Sequence, residues 1–122
     1  MKTISVKYSP FTRHTSVNGL YQYDRGVEIR IFGMTPEAIP SLHFSIDGSR
    51  TAIPTVPKVE DGVIIGVIPD VILMQHRQAL CYVYVESEEY GYTEFEIRLP
   101  IIPRGKPSDF ELTDEQTESY NA

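Results

Sequence analysis

An all-β fold, an antiparallel immunoglobulin-like β-sandwich, is what this chain of 122 residues predicts. Apolar and polar residues alternate through a series of short stretches, the two-residue period of a strand with one buried face. Turn signals separate those stretches about every ten residues, the spacing of strands in a sandwich. The length is that of one ordinary domain, enough to bury a core without staples. Neither an internal repeat nor a low-complexity run interrupts the pattern.

The elements follow in order. Val27-Glu28-Ile29-Arg30-Ile31 places Val27, Ile29 and Ile31 on one face and Glu28 and Arg30 on the other. Asp24-Arg25-Gly26 before it reads as a short turn, so Leu20-Tyr21-Gln22-Tyr23 is expected as the other arm of a hairpin. Leu42, Phe44 and Ile46 share a face of the next strand, Ser41 to Ile46, which ends at the turn dipeptide Asp47-Gly48. Pro54-Thr55-Val56-Pro57 belongs at an edge or in a loop, since proline cannot donate to a ladder. Asp61-Gly62 opens Val63 to Ile68, apolar throughout and expected at the centre of a sheet. Proline followed by an acid at Pro69-Asp70 predicts one helical turn over about 69–75, crossing between sheets. From Ala79 to Val85, Ala79, Cys81, Val83 and Val85 point inward and Leu80, Tyr82 and Tyr84 outward. The last strand, Tyr92 to Leu99, pairs with it; Thr93, Phe95, Ile97 and Leu99 are expected inside, with Glu94, Glu96 and Arg98 in water.

Beyond Leu99-Pro100-Ile101-Ile102-Pro103 the periodicity stops. Thr113 and Gln116 stand at capping-box spacing, with acids between them that suit the positive end of a helix dipole. Fewer than ten residues remain, too short for a helix to hold itself in water. Residues 1–106 are therefore expected as the sandwich domain. Residues 107–122 are expected as an acidic linker, flexible or incipiently helical, that leads toward something attached.

The net charge is −6, and residues 107–122 hold five acids and no base. Residues 1–106 carry 12 acids against 11 bases. That near-neutral body lacks the basic excess that displaces counterions from nucleic acid, which argues against a nucleic-acid partner. No apolar run approaches the roughly 20 residues of a membrane span, and Met1 to Val6 has no apolar core of a secretory signal. The single cysteine, Cys81, permits no intramolecular disulfide and fits a reducing compartment of synthesis, or a virion or complex assembled in one.

Catalytic and metal-ligating patterns are missing from the sequence. His14, His43 and His76 stand at no ligand-like spacing. Cys81 lies among Val83 and Val85, where a free thiol behaves as a small buried hydrophobe. Glu86, Glu88 and Glu89 fall in a hairpin loop without the alternating oxygens and turn glycine of a calcium loop. Phosphate-binding glycine loops, nucleophile elbows and Cys-x-x-Cys pairs do not occur. The expectation is a protein that is not an enzyme and needs neither cofactor nor metal.

Tyrosine is the unusual residue: eight, with no tryptophan. Tyr21 and Tyr23 are expected on one strand face, Tyr82 and Tyr84 in register, and Tyr90 and Tyr92 after them. Rings displayed this way contact a protein partner with the hydroxyl at the rim, stack on sugar, or complete the core. These six are the candidate partner or glycan contacts.

Taken in order, several motifs resemble a family of virion structural proteins from phages and prophages of Gram-positive bacteria: tail, baseplate or fibre components that open with a small β-sandwich domain. The stretches that carry the resemblance are Leu20-Tyr21-Gln22-Tyr23-Asp24-Arg25-Gly26, Leu42-His43-Phe44-Ser45 and Glu60-Asp61-Gly62 leading to Val67-Ile68-Pro69-Asp70. Tyr82-Val83-Tyr84-Val85 and the exit Pro103-Arg104-Gly105-Lys106-Pro107-Ser108-Asp109-Phe110 complete it, over residues 16 to 120. The resemblance implies an N-terminal anchoring domain of a baseplate, tail or fibre protein, located in the virion after synthesis in the bacterial host cytoplasm. Its partners would be other virion proteins, and a downstream stalk would form a homotrimer or other homo-oligomer. Phe11-Thr12-Arg13-His14-Thr15 departs from the family pattern and is read as a local docking arm. The alternative is a carbohydrate-binding sandwich with Tyr21, Tyr23, Tyr82 and Tyr84 as stacking platforms.

Overall fold

The computed structural model describes residues 1–107. The acidic segment expected as a linker and helix start lies, apart from Pro107, outside the described residues.

Two sheets enclose one apolar core. The first has the order β1 (Thr3–Lys7), β4 (Glu28–Phe32), β8 (Val63–Val67) and β7 (Lys58–Glu60). The second has the order β2 (His14–Ser16), β10 (Gly91–Leu99), β9 (Ala79–Glu86), β5 (Ile39–Ile46) and β6 (Ile53–Thr55). Ile29, Ile31 and Ile64 from the first sheet meet Leu42, Phe44, Val83, Phe95 and Ile97 from the second, all buried. The expected alternation holds in β4, β5 and the Phe95–Leu99 half of β10, and in β9 except that Leu80, expected outward, is buried; the all-β sandwich stands.

The chain crosses between the sheets at both edges. β1 and β2 are consecutive in sequence yet form edges of different sheets, and so do β6 and β7. This arrangement corrects the expectation of a purely antiparallel sandwich, because β1 runs parallel to β4 and β2 parallel to β10. The Pro54 segment lies on the edge strand β6, where its missing N–H disturbs no central ladder. β8 lies inside its sheet as expected, although Val67 on its outer face is half exposed.

Two further expectations are overturned. Leu20-Tyr21-Gln22-Tyr23 is not a hairpin arm against β4. Instead β3 (Leu20–Tyr21) pairs in parallel with β11 (Ile101–Ile102), and the Gln22 N–H donates to the Ile102 carbonyl at 2.8 Å. Tyr23 leaves the strand direction altogether, with φ at +71°, while its N–H donates to the Leu73 carbonyl at 2.8 Å. A local turn signal thus loses to long-range partners that satisfy the same backbone groups.

Thr93 is the second correction. It pairs with Tyr84 on the outer face, whereas Phe95 pairs with Val83 on the inner one, so Glu94 is an extra residue at a β-bulge. One inserted residue reverses the faces of everything before it. Tyr92 accordingly sits opposite inward-facing Val85, and Glu94 turns from water to accept a hydrogen bond from the Tyr8 hydroxyl.

The helical turn expected over about 69–75 is a 3-10 turn at Ile72–Met74, crossing from β8 to β9. The Ile72 and Leu73 N–H groups donate to the Pro69 and Asp70 carbonyls at 3.0 Å each. Ile72 and Leu73 are buried beneath it.

Candidate functional site

The six tyrosines do not assemble into one platform; they occupy three places. Tyr82 and Tyr84 lie side by side on the outer face of the second sheet, both half-buried. The His43 ring stacks on Tyr84 with centroids 5.1 Å apart and planes 22° from parallel, and its Nε2 is 3.0 Å from Ser41 Oγ. Gly91 lies beneath the Tyr84 hydroxyl, where a Cβ would collide with it. Desolvation, with the Glu96 carboxylate next in weight, holds the Tyr82 phenol above its ordinary value.

Tyr21 and Tyr23 lie at the end of the sandwich where the chain exits. Lys2 Nζ sits 5.4 Å from the Tyr21 ring centre and also forms an ion pair with Asp24 at 2.7 Å. Tyr90 and Tyr92 lie at the opposite, distal end, with ring centres 5.8 Å apart. Burial together with Glu94 and Glu37 raises the Tyr92 phenol.

The residues screened for chemistry are scattered. His14 pairs with Glu96 across the edge of the second sheet, His43 lies opposite Tyr82, and His76 is exposed in the connection after the 3-10 turn. Cys81 is fully buried opposite Phe44 and Ile97, and loss of water raises its thiol far above the ordinary range. Among the described residues no three His, Cys, Asp or Glu side chains gather at metal-binding distance, and no helix is long and apolar enough to cross a membrane.

The feature that sequence order conceals is polarity along the sandwich. Loops alternate between its two ends, so charges that look evenly mixed along the chain separate in space. The distal end collects Lys7 at the close of β1, Arg13 before β2, Glu37 before β5, and Glu60 and Asp61 at the β7–β8 turn. It also holds Glu86, Glu88 and Glu89 of the β9–β10 hairpin and Glu94 of the bulge. Seven acids against two bases give that end −5. The exit end carries Lys2, Arg25, Arg50, Arg77, Arg104 and Lys106 against Asp24, Glu28, Asp47 and Asp70, or +2.

Among the described residues, five of the eleven exposed large apolar side chains lie at the same distal end, while Met1, Val56 and Val67 line a recess beside the first sheet. Phe11 is 95 % exposed and Ile39 77 % exposed, with Phe32, Tyr90 and Tyr92 near 40 %. Phe11 rides a closed turn: the Arg13 N–H donates to the Ser9 carbonyl at 3.2 Å, and the Arg13 carbonyl accepts from the Glu96 N–H at 2.9 Å. Arg13 itself holds φ at +56°. The segment read as a docking arm therefore becomes a tethered turn followed by edge strand β2. Phe11 is absent from the tyrosine-based candidates; the available signal was an aromatic beside Pro10 in a polar stretch.

No protein-family model matches the chain, and no curated protein matches it. Among solved structures its fold is similar to the N-terminal domain of phage TP901-1 ORF48, with a TM-score of 0.50 at 11% sequence identity. The likeness covers 85% of this chain and 98% of that one. At this identity the likeness is one of fold.

Proposed function

We propose that this chain is a structural domain of a bacteriophage particle, an anchoring and assembly module of a baseplate, tail or fibre component, and that it catalyses no reaction. The observation that carries this reading is the fold, similar along 85% of the chain to the N-terminal domain of a phage protein. The exit motif from Pro103 to Phe110 supports it from the sequence side. Topology adds a third support. β11 pairs with β3, and Lys2 contacts Gly19 and Asp24 beside it, so the chain enters and leaves the sandwich at one end. Among the described residues, the other end is left clear for contact.

The mechanism is passive. A rigid sandwich fixes the direction in which the following segment leaves, and side chains on its surface hold other virion proteins. A sugar-stacking platform needs free ring faces side by side. Here His43 covers Tyr84 and Lys2 lies over Tyr21, while Tyr90 and Tyr92 lie side by side and exposed but tilted 31° from each other, so the six rings form no common flat platform.

The test is physical association with particles. Phage particles from the strain that carries the gene are banded on a density gradient, and the protein is detected by mass spectrometry. It is expected in the particle band at a fixed ratio to the tail proteins. Its absence from that band, with the protein left in the unassembled fraction, overturns the reading.

A further inference from the structure

We propose that the distal end of the sandwich, with Phe11 at its tip, is the docking surface, and that its occupant is a basic protein surface of the particle with an apolar recess. The proposal rests on the virion reading above and adds which face makes the contact and what chemistry receives it.

Three observations converge on this end. The first is exposure. Phe11 at 95 % and Ile39 at 77 % stand among the most exposed large apolar side chains described, and Phe32, Tyr90 and Tyr92 surround the same end. Scattered exposed apolar residues are ordinary, but a cluster at one end marks a contact surface. The second is preorganisation. Backbone hydrogen bonds close the Phe11 turn and fasten it to β10, so little freedom remains to be lost when the ring is buried. The third is charge. Carboxylates of Glu86 and Glu88 line a recess with Ile39, and Glu37 and Glu94 line another with Tyr92, within an end that totals −5. An acidic rim around an apolar centre selects a partner with lysine or arginine around an apolar recess, and repels another acidic surface.

A second copy of this chain fits less well. Two distal ends face to face would bring −5 against −5. The basic exit end is complementary in sign, but the larger recess on that side, about 440 Å³ and lined by Met1, Val56 and Val67, sets Glu28 against Lys58 and so lacks the basic surround that an acidic rim selects.

The test uses particles assembled with altered full-length protein. Phe11→Ser with Ile39→Ser removes the apolar tips. Glu88→Lys with Glu89→Lys reverses the rim. Val67→Ser, on the outer face of the first sheet, is the control. All five side chains are exposed or half exposed, and thermal melting checks that each variant folds. Both distal pairs are expected to lower the amount of protein in purified particles at least tenfold, and the control is expected to match the unaltered protein. Distal variants that incorporate normally beside the unaltered protein overturn the docking proposal and leave the virion reading standing. Loss with the control alone moves the contact to the first sheet and also overturns it. If charge reversal has no effect, the basic partner is overturned. Sedimentation of the isolated chain supplies the last arm: salt-sensitive self-association abolished by Phe11→Ser assigns the surface to a second copy and overturns the proposal. Absence of the unaltered protein from particles removes the virion reading itself.

Discussion

Gly66 is where the two sheets come closest to a steric limit, and Gly66→Ala tests how the core is packed. Gly66 is buried in β8 opposite Ile29, and a Cβ built there runs into Leu42 Cδ1 from the facing sheet. Two effects of opposite sign compete. Replacing a strand glycine lowers the entropy of the unfolded chain, a gain of about 0.5–1 kcal/mol. The added methyl must displace Leu42, itself fully buried, and overpacking of this kind costs about 1–3 kcal/mol. The steric effect is expected to win, with a net loss of about 1–2 kcal/mol, equivalent to roughly 5–15 °C in Tm for a domain near 100 residues. Leu42→Ala alone is expected to cost about 2–5 kcal/mol through the cavity it leaves. In the double variant the methyl added at position 66 occupies part of that space, so the two losses fall short of additivity by about 1–2 kcal/mol. Urea unfolding followed by far-ultraviolet circular dichroism measures all four corners, since the chain has no tryptophan to report by fluorescence. A more stable Gly66→Ala variant, or additivity within about 0.5 kcal/mol, refutes the reasoning.

Tyr8→Phe removes the hydroxyl that donates to Glu94 but keeps the ring edge-on to Phe95 at 5.1 Å, and is expected to cost about 0.5–1.5 kcal/mol in urea unfolding. The Glu94 hydrogen bond, with burial, pushes the Tyr8 phenol up to about 12 from an ordinary 10.0, so this part of the stability is complete below pH 10 and lost as pH rises toward 12. The stability difference between the wild type and Tyr8→Phe is therefore expected to shrink across that window; a constant difference contradicts it. Cys81, fully buried with its thiol held protonated, is expected to react with a thiol reagent only at the rate of global unfolding, and fast labelling of the native protein counts against the burial. The β7–β8 turn places Asp61 at φ +50° and Gly62 at φ +75°, so Gly62→Ala is expected to cost about 1–2 kcal/mol while Asp61→Asn is tolerated, as thermal melting will show.

The long strands were legible because alternation writes the buried face directly into the residue order. Ile29 and Ile31, Leu42 and Phe44, and Cys81 and Val83 all point inward as their spacing predicts. Strand β1 carries the same signal in Ile4 and Val6, but its partner β4 begins beyond two intervening strands. The Leu20–Tyr21 segment was misplaced for a different reason. Its partner Ile101–Ile102 lies near the far end of the described chain, and two residues are too few for a period. The Glu94 bulge is invisible to any two-residue pattern, because the alternation Thr93, Phe95, Ile97 reads without a break. Of the candidate contacts, only Tyr82 and Tyr84 were placed correctly as neighbours on one sheet face. The carboxylate of Glu94 against Tyr8, and Phe11 at the tip of a closed turn, emerge only from the assembled fold.

By itself the amino-acid order determined that this protein is an all-β sandwich, which face of most long strands fills its core, and where a single helical turn crosses between sheets. Those properties depend on neighbours two to four residues apart, and local sterics with apolar burial suffice to encode them. Only the tertiary structure decided that the edges are closed by parallel pairs and that the tyrosines fall in three separate places. It also decided that an evenly mixed body of 12 acids and 11 bases becomes an acidic, apolar-tipped end opposite a basic one. The reason is geometric. Successive loops alternate between the ends of a sandwich, so charges adjacent along the chain part in space, and charges far apart along it meet.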